Sequence, residues 1–156
     1  MTREQMLTHL RAADEVARDA ARHGHHPFGC VLVDPDGRII MRQGNIDTVR
    51  HAESELCRRA AASYPADFLW SCTLVSTGEP CAMCAGTLYW ANIGRLVYGF
   101  EEAKLLAETG DHPENPTMSL PVRTVLEAGQ KPVEVIGPFP DMEDELIAPH
   151  RTFWRR

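Results

Sequence analysis

Two short motifs, His51-Ala52-Glu53 and Pro80-Cys81-Ala82-Met83-Cys84, constrain this chain more than anything else in it. Together they offer one imidazole, two thiols and a carboxylate. Zinc takes nitrogen and sulfur ligands in tetrahedral geometry, and a catalytic zinc keeps one position open for water. A hydrolytic site also needs a base beside the metal to move the proton of that water. Any fold that uses both motifs must therefore bring residue 51 to residues 81 and 84. Cys81 and Cys84 are three apart, so on a helix they share one face and can reach one ion. Pro80 suits a helix start, and a helix N-terminus favours thiolate over thiol. His51 and Glu53, two apart in the first turn of another helix, diverge enough for one to ligate while the other faces the open position. A redox pair is the other reading of a CxxC, but the strand-like run before it and the His-x-Glu argue against that. A purely structural zinc site would want a fourth Cys or His at similar spacing, and none stands beside these motifs.

Length and charge narrow the rest. The 156 residues make one domain (1–156), long enough to bury a core. No run of 18 apolar residues exists, so no membrane span is expected. The first residues lead directly into an amphipathic helix pattern and do not read as a signal peptide. Of five cysteines, two belong to the metal motif. Cys30, Cys57 and Cys72 read as reduced core residues, which points to a cytoplasmic location. The net charge of −6 argues against a polynucleotide partner, since phosphate neutralisation needs a basic face. A local basic patch is the counter-reading, and Arg151, Arg155 and Arg156 cluster at the C-terminus.

Patterning places both motifs on helices that follow strands or loops. Residues 3–22 carry apolar positions at helical spacing, and His23 to Pro27 ends that helix. Residues 28–33 and 38–42, joined by Asp34-Pro35-Asp36-Gly37, read as a hairpin. A helix over 51–63, a strand over 73–76, a helix over 81–91 and a strand over 95–99 follow. A short helix over 101–108, a loop over 110–116, a helix near 122–128 and a last strand over 133–136 complete the pattern. Residues 138–156 form an acidic, helical tail. A hairpin followed by alternating helices and strands implies a mixed sheet with helices on both faces, with two helix N-termini meeting at one sheet edge.

These motifs resemble the signature of the zinc deaminases that act on nucleobases. The chain is similar to the cytidine deaminase superfamily from Pro27 to about Ile136. The resemblance implies a three-layer α/β/α sandwich with a mixed five-stranded sheet. It implies one Zn²⁺ per chain on His51, Cys81 and Cys84, and Glu53 as proton shuttle. The backbone N–H groups of Ala52 and Cys81 would face the developing charge. The run Cys84-Ala85-Gly86-Thr87-Leu88-Tyr89-Trp90-Ala91 looks most like bacterial guanine deaminase and rather like the tRNA adenosine deaminases. The implied function is zinc-dependent hydrolytic deamination of a nucleobase or nucleoside, guanine first, with release of ammonia. Two alternatives stand beside it: a tRNA adenosine deaminase, and a non-catalytic zinc-stabilised binding module. The expected partners are a small-molecule substrate and a second copy of the chain in a homodimer.

Further residues take roles by type. Asn45 matches an Asn that orients the base or sugar in these families, though a surface-turn Asn fits as well. Asp111 falls near an acid that contacts guanine, or is a solvated loop residue. Phe28 could stack on a base and Trp90 could line the pocket, although an aromatic beside a strand or at helical spacing is more often core. His23, His25 and His26 read as surface residues, with a second metal site as the alternative. Phe153 and Trp154 are expected to be docked, because exposed paired aromatics on a loose tail are a liability. A lid over the active site, a core plug and a dimer contact are the readings for them.

Overall fold

The three layers follow from strict alternation along the inner strands. In the computed structural model, which describes residues 1–155, the five strands run in the order β2-β1-β3-β4-β5. These are β1 (Gly29–Val33), β2 (Ile39–Gly44), β3 (Thr73–Gly78), β4 (Arg95–Phe100) and β5 (Glu134–Ile136). β1 is antiparallel to both β2 and β3, whereas β3, β4 and β5 are parallel. Side chains on a strand point alternately to opposite faces. Cys30, Leu32, Leu74, Leu96 and Tyr98 therefore meet one helical layer, and Val31, Val33, Val75 and Val97 the other. The inner strands are apolar on both faces because both are covered.

The first layer holds α2 (Ala52–Ser63), α3 (Ala66–Trp70), α4 (Ala82–Ala91) and α6 (Val122–Glu127). The second holds α1 (Arg3–Arg22), α5 (Glu102–Thr109) and α7 (Glu143–Phe153). The expected sandwich and mixed five-stranded sheet are thus present. The start of α1 is a capping box: Gln5 N–H donates to Thr2 Oγ1 at 3.1 Å and Thr2 N–H to Gln5 Oε1 at 2.8 Å. α3 was not legible in the sequence, since five residues are too few to show a period. The zinc-motif helix begins at Ala82 rather than Cys81, which is its N-cap, so Pro80 lies outside the helix. The acidic tail folds as a 3-10 turn (Pro140–Met142) and α7, both against the second core. No described helix is long and apolar enough to cross a membrane.

The close approach of α1 to the sheet depends on Gly29. A Cβ there would lie 2.5 Å from Ala13 O and 2.5 Å from Ala17 N, both backbone atoms that cannot move alone. Gly29→Ala must therefore push α1 off β1. The expected loss is about 1–3 kcal/mol, read as a lower denaturant midpoint. A midpoint equal to wild type would show that α1 shifts at no cost.

Candidate metal centre and active site

Sheet topology brings the two motifs together. β3 ends at Gly78, and the chain bends through Glu79-Pro80 into α4. The start of β1 lies beside the end of β3, because the two are antiparallel with Cys30 opposite Ser76. The loop from β2 to α2 is held by Asp47, whose carboxylate accepts from the N–H groups of Val49 and Arg50 and from Arg50 Nε. Those bonds, led by the backbone N–H of Arg50, pull the Asp47 carboxyl down to about 2. The rigid loop delivers His51 to the N-cap of α2, facing Cys81 at the N-cap of α4.

Three ligand atoms meet there. His51 Nδ1 lies 3.6 Å from Cys81 Sγ and 3.6 Å from Cys84 Sγ, and the two sulfurs are 3.7 Å apart. Ligands of a tetrahedral zinc, with Zn–S of ~2.3 Å and Zn–N of ~2.1 Å, would be about 3.8 Å apart for two sulfurs and about 3.6 Å for sulfur and nitrogen. The triangle has these edges, so the donor set fits zinc with a fourth position left over. Among the described residues no other group of three His, Cys, Asp or Glu side chains has ligand atoms in such mutual reach. Cys81 is already disposed to be a thiolate. Its pKa is drawn down to about 4, first by the Cys84 thiol and then by His51. The His51 imidazole is raised, mainly by its contact with Cys81. The remaining thiols, Cys30, Cys57 and Cys72, are buried and free of disulfides, and burial pushes each of them up.

Glu53 stands two residues beyond His51 in the first turn of α2, 5% exposed. Its Oε1 accepts from Ser76 Oγ at 2.6 Å. Burial pushes this carboxyl up, and the Ser76 hydroxyl opposes that. The cluster and Glu53 line a cavity of about 700 Å³, within the usual range for small-molecule sites. Gly78 leaves room for the Phe100 ring in its wall, since a Cβ on Gly78 would lie 2.8 Å from that ring.

The other expected site residues divide. Phe28 lines the cavity. Ala52 is fully buried at the first position of α2, where the N–H has no intrahelical partner. Asn45 is buried but does not line the cavity: its Nδ2 donates to Asp47 O and its N–H to Phe28 O. It shapes the loop that carries Ile46, Asp47 and Thr48 into the wall. Trp90 is corrected outright. It is 80% exposed on α4, turned away from both core and cavity. Asp111 is exposed and outside the lining too; the next loop residues, Pro113 to Met118, form that wall instead.

Sequence reading missed several lining residues. His25 and His26 are not simple surface residues. Both line the cavity, and His25 Nδ1 meets Ile46 O at 2.9 Å. Glu79 and Glu102 line it as well. Glu79 accepts from Glu102 N–H at 3.0 Å and Val122 N–H at 2.8 Å, fastening the starts of α5 and α6. An acid at a helix start reads in a sequence as a partner for the helix dipole, so neither announced itself. Phe153 and Trp154 are each 7% exposed and are not among the lining residues. They stand behind the wall: Trp154 packs edge-on against His26 with ring centroids 4.6 Å apart, and its Nε1 donates to His150 Nδ1. His150 in turn packs on Phe28 and Phe100.

With this geometry in place, similarity to known proteins is specific. Residues 3–100 match the cytidine and deoxycytidylate deaminase zinc-binding region. The protein named probable cytosine deaminase in Schizosaccharomyces pombe is 37% identical over 155 residues, 97% of this chain and 93% of that one. Bacillus subtilis guanine deaminase is 37% identical over 109 residues, 65% of this chain and 69% of that one; its solved structure aligns with a TM-score of 0.58 at 34% identity, over 70% of this chain and 71% of that one. A structure of a tRNA:A34 deaminase aligns with a TM-score of 0.66 at 27% identity, covering 92% of this chain and 99% of that one. The chain belongs to the cytidine and deoxycytidylate deaminase family of zinc-dependent hydrolases, which deaminate nucleobases and nucleosides.

The ligand triangle predicts the response to its own disruption. Cys81→Ser or Cys84→Ser should lower bound zinc from one per chain to well below that, read by elemental analysis. Wild-type protein that holds no zinc, even after reconstitution, would remove the metal centre.

Proposed function

We propose that this chain hydrolyses the exocyclic amine of a free nucleobase, cytosine or guanine, releasing ammonia. The observation that carries the reading is Glu53: a buried carboxyl on the wall of a base-sized cavity, two residues from His51 in a ligand set that fits zinc. A metal site that only stabilises a binding module has no use for such an acid.

His51, Cys81 and Cys84 would hold a zinc ion, which would supply the Lewis acidity that activates water at neutral pH. The remaining work falls to the chain. Phe28, Met83 and Phe100 give apolar walls that hold a flat ring and exclude water. Glu53 accepts the proton of the attacking water and returns protons to the ring nitrogen and the departing amine. Ser76 holds one oxygen of Glu53 and so orients the carboxyl in the cavity wall. The N–H groups at the starts of α2 and α4 lend positive potential where charge develops.

Cytosine is named for the relative that spans nearly all of both chains, guanine for the bacterial one. The likeness to a tRNA deaminase supports adenosine in tRNA, and the net charge of −6 opposes it. Ammonia release from cytosine, guanine, adenine, cytidine, guanosine and tRNA tests all of these. Activity confined to a nucleoside or to tRNA would overturn the free-base reading.

Glu53→Gln should keep zinc and fold while turnover falls by ~10²–10⁴-fold, the usual worth of positioned proton transfer. Near-normal turnover in the zinc-loaded variant would remove its role. Behind the wall, the C-terminal aromatics seat His26. Deleting residues from Thr152 onward should leave a folded, zinc-loaded enzyme with weaker substrate binding and slower turnover together. Unchanged kinetics would show that the wall stands without them.

A further inference from the structure

Glu102 is the first residue of α5, and its side chain lines the cavity. It is 7% exposed, and its Oε2 is fully buried with no hydrogen-bond partner among the described residues. Buried polar atoms in folded proteins are nearly always partnered, so an orphan one calls for a reason. Helix capping is not that reason. The start of α5 is already held by Glu79, which takes the N–H of Glu102 itself. Charge pairing is not the reason either: burial first, and then the neighbouring acids Glu79 and Glu53, push its carboxyl up to about 9, and no cation pairs with it among the described residues. The fold thus keeps an acid against the cost of burial, with one oxygen unpartnered among the described residues, on a residue of the cavity wall. That is how a group waiting for a ligand donor looks.

We propose that Glu102 is a specificity-determining residue that accepts a ring N–H of the substrate base, on an edge other than the one Glu53 serves. The inference rests on the free-base reading above and deepens it. A carboxyl oxygen accepts a hydrogen bond whether or not the group is ionised, so the role needs no particular protonation state. Cytosine offers N1–H and guanine its imidazole N–H. In a nucleoside the corresponding nitrogen carries the sugar and has no proton to give. Glu102 therefore favours free bases over their nucleosides. A site built to bond a donor strongly rejects the analogue that lacks it, because its own buried group is then left unpaired.

The test compares zinc-loaded wild type, Glu102→Gln and Glu102→Ala on whichever base the enzyme turns over. Each is assayed against the N-methylated base: 1-methylcytosine for cytosine, 7- and 9-methylguanine for guanine. Wild type should prefer the unmethylated base in kcat/KM by about 10–100-fold, the range for a hydrogen bond to a buried polar group. Glu102→Ala should lose most of that preference, with the loss on the free base mainly in KM. Glu102→Gln keeps a carbonyl acceptor and should retain most of it. The thermal midpoint of both variants should equal or exceed that of wild type, since an unpartnered buried acid is removed. Unaltered discrimination in Glu102→Ala, an equal loss on free and methylated base, or a lowered midpoint in both variants would each overturn this role while leaving the nucleobase reading intact. An enzyme that turns over neither base overturns both.

Discussion

Everything at the functional end of this molecule depends on two helix N-termini converging on one point. His51 and Cys81 occupy the N-cap positions of α2 and α4, and neither makes the side-chain bond that an N-cap residue normally makes. Ser, Thr, Asp or Asn in those places would stabilise each helix by about 1 kcal/mol. The chain forgoes this and turns first-turn N–H groups toward the ligand triangle, where that of Cys84 reaches the Cys81 sulfur and that of Ser54 the Cys84 sulfur. Their positive potential suits thiolates and any negative charge that develops beside them. Cys81 already leans that way, drawn down toward 4 by the Cys84 thiol, while Cys84 itself is raised by the Cys81 contact and by burial. The sheet makes the convergence possible. β1 runs against β3, so the loop before β1 and the bend after β3 lie at the same edge.

Three buried or half-buried acids share that edge, and their surroundings divide the work. Glu53 is tied by one oxygen to a serine on β3. Glu79 spends both oxygens on backbone N–H groups of two helices, so it is a structural acceptor rather than a chemical one. Glu102 has an oxygen with nothing to bond. Identical side chains thus take different tasks because their neighbours differ, which is how one fold runs acid and base chemistry side by side.

The cavity wall opposite α4 is supported from outside the site. Burial drives His150 down to about 3, so it stays neutral and accepts the Trp154 Nε1–H. It also packs between Phe28 and Phe100, two rings that line the cavity. His26 bridges the same aromatic group to the cavity rim, with its Nε2 4.0 Å from Glu114 Oε2. The tail therefore reaches the active site through intermediaries, and none of its described residues lines the cavity.

The sequence alone determined the layered class, the number of strands and the ligand set, because each leaves a local trace. Strand alternation and helical period are properties of neighbouring residues. A His-x-Glu and a Pro-Cys-x-x-Cys carry their chemistry in their composition. For Phe28 the sequence left base stacking and a core position open, and the structure gives it both, in the cavity lining and packed against the two cores. Tertiary structure decided the remainder. Trp90 shares a helix with Cys84 yet faces solvent, because which side of α4 is covered depends on where α2 and α6 pack. Asn45 and Asp111 had the right types, but the path of their loops, set by Asp47 in one case and by the run 113–118 in the other, put different residues in the wall. Glu79 and Glu102 were indistinguishable as letters. Only the packed structure shows that one carboxyl is fully bonded and the other is not, because hydrogen-bond satisfaction is a property of surroundings drawn from distant parts of the chain.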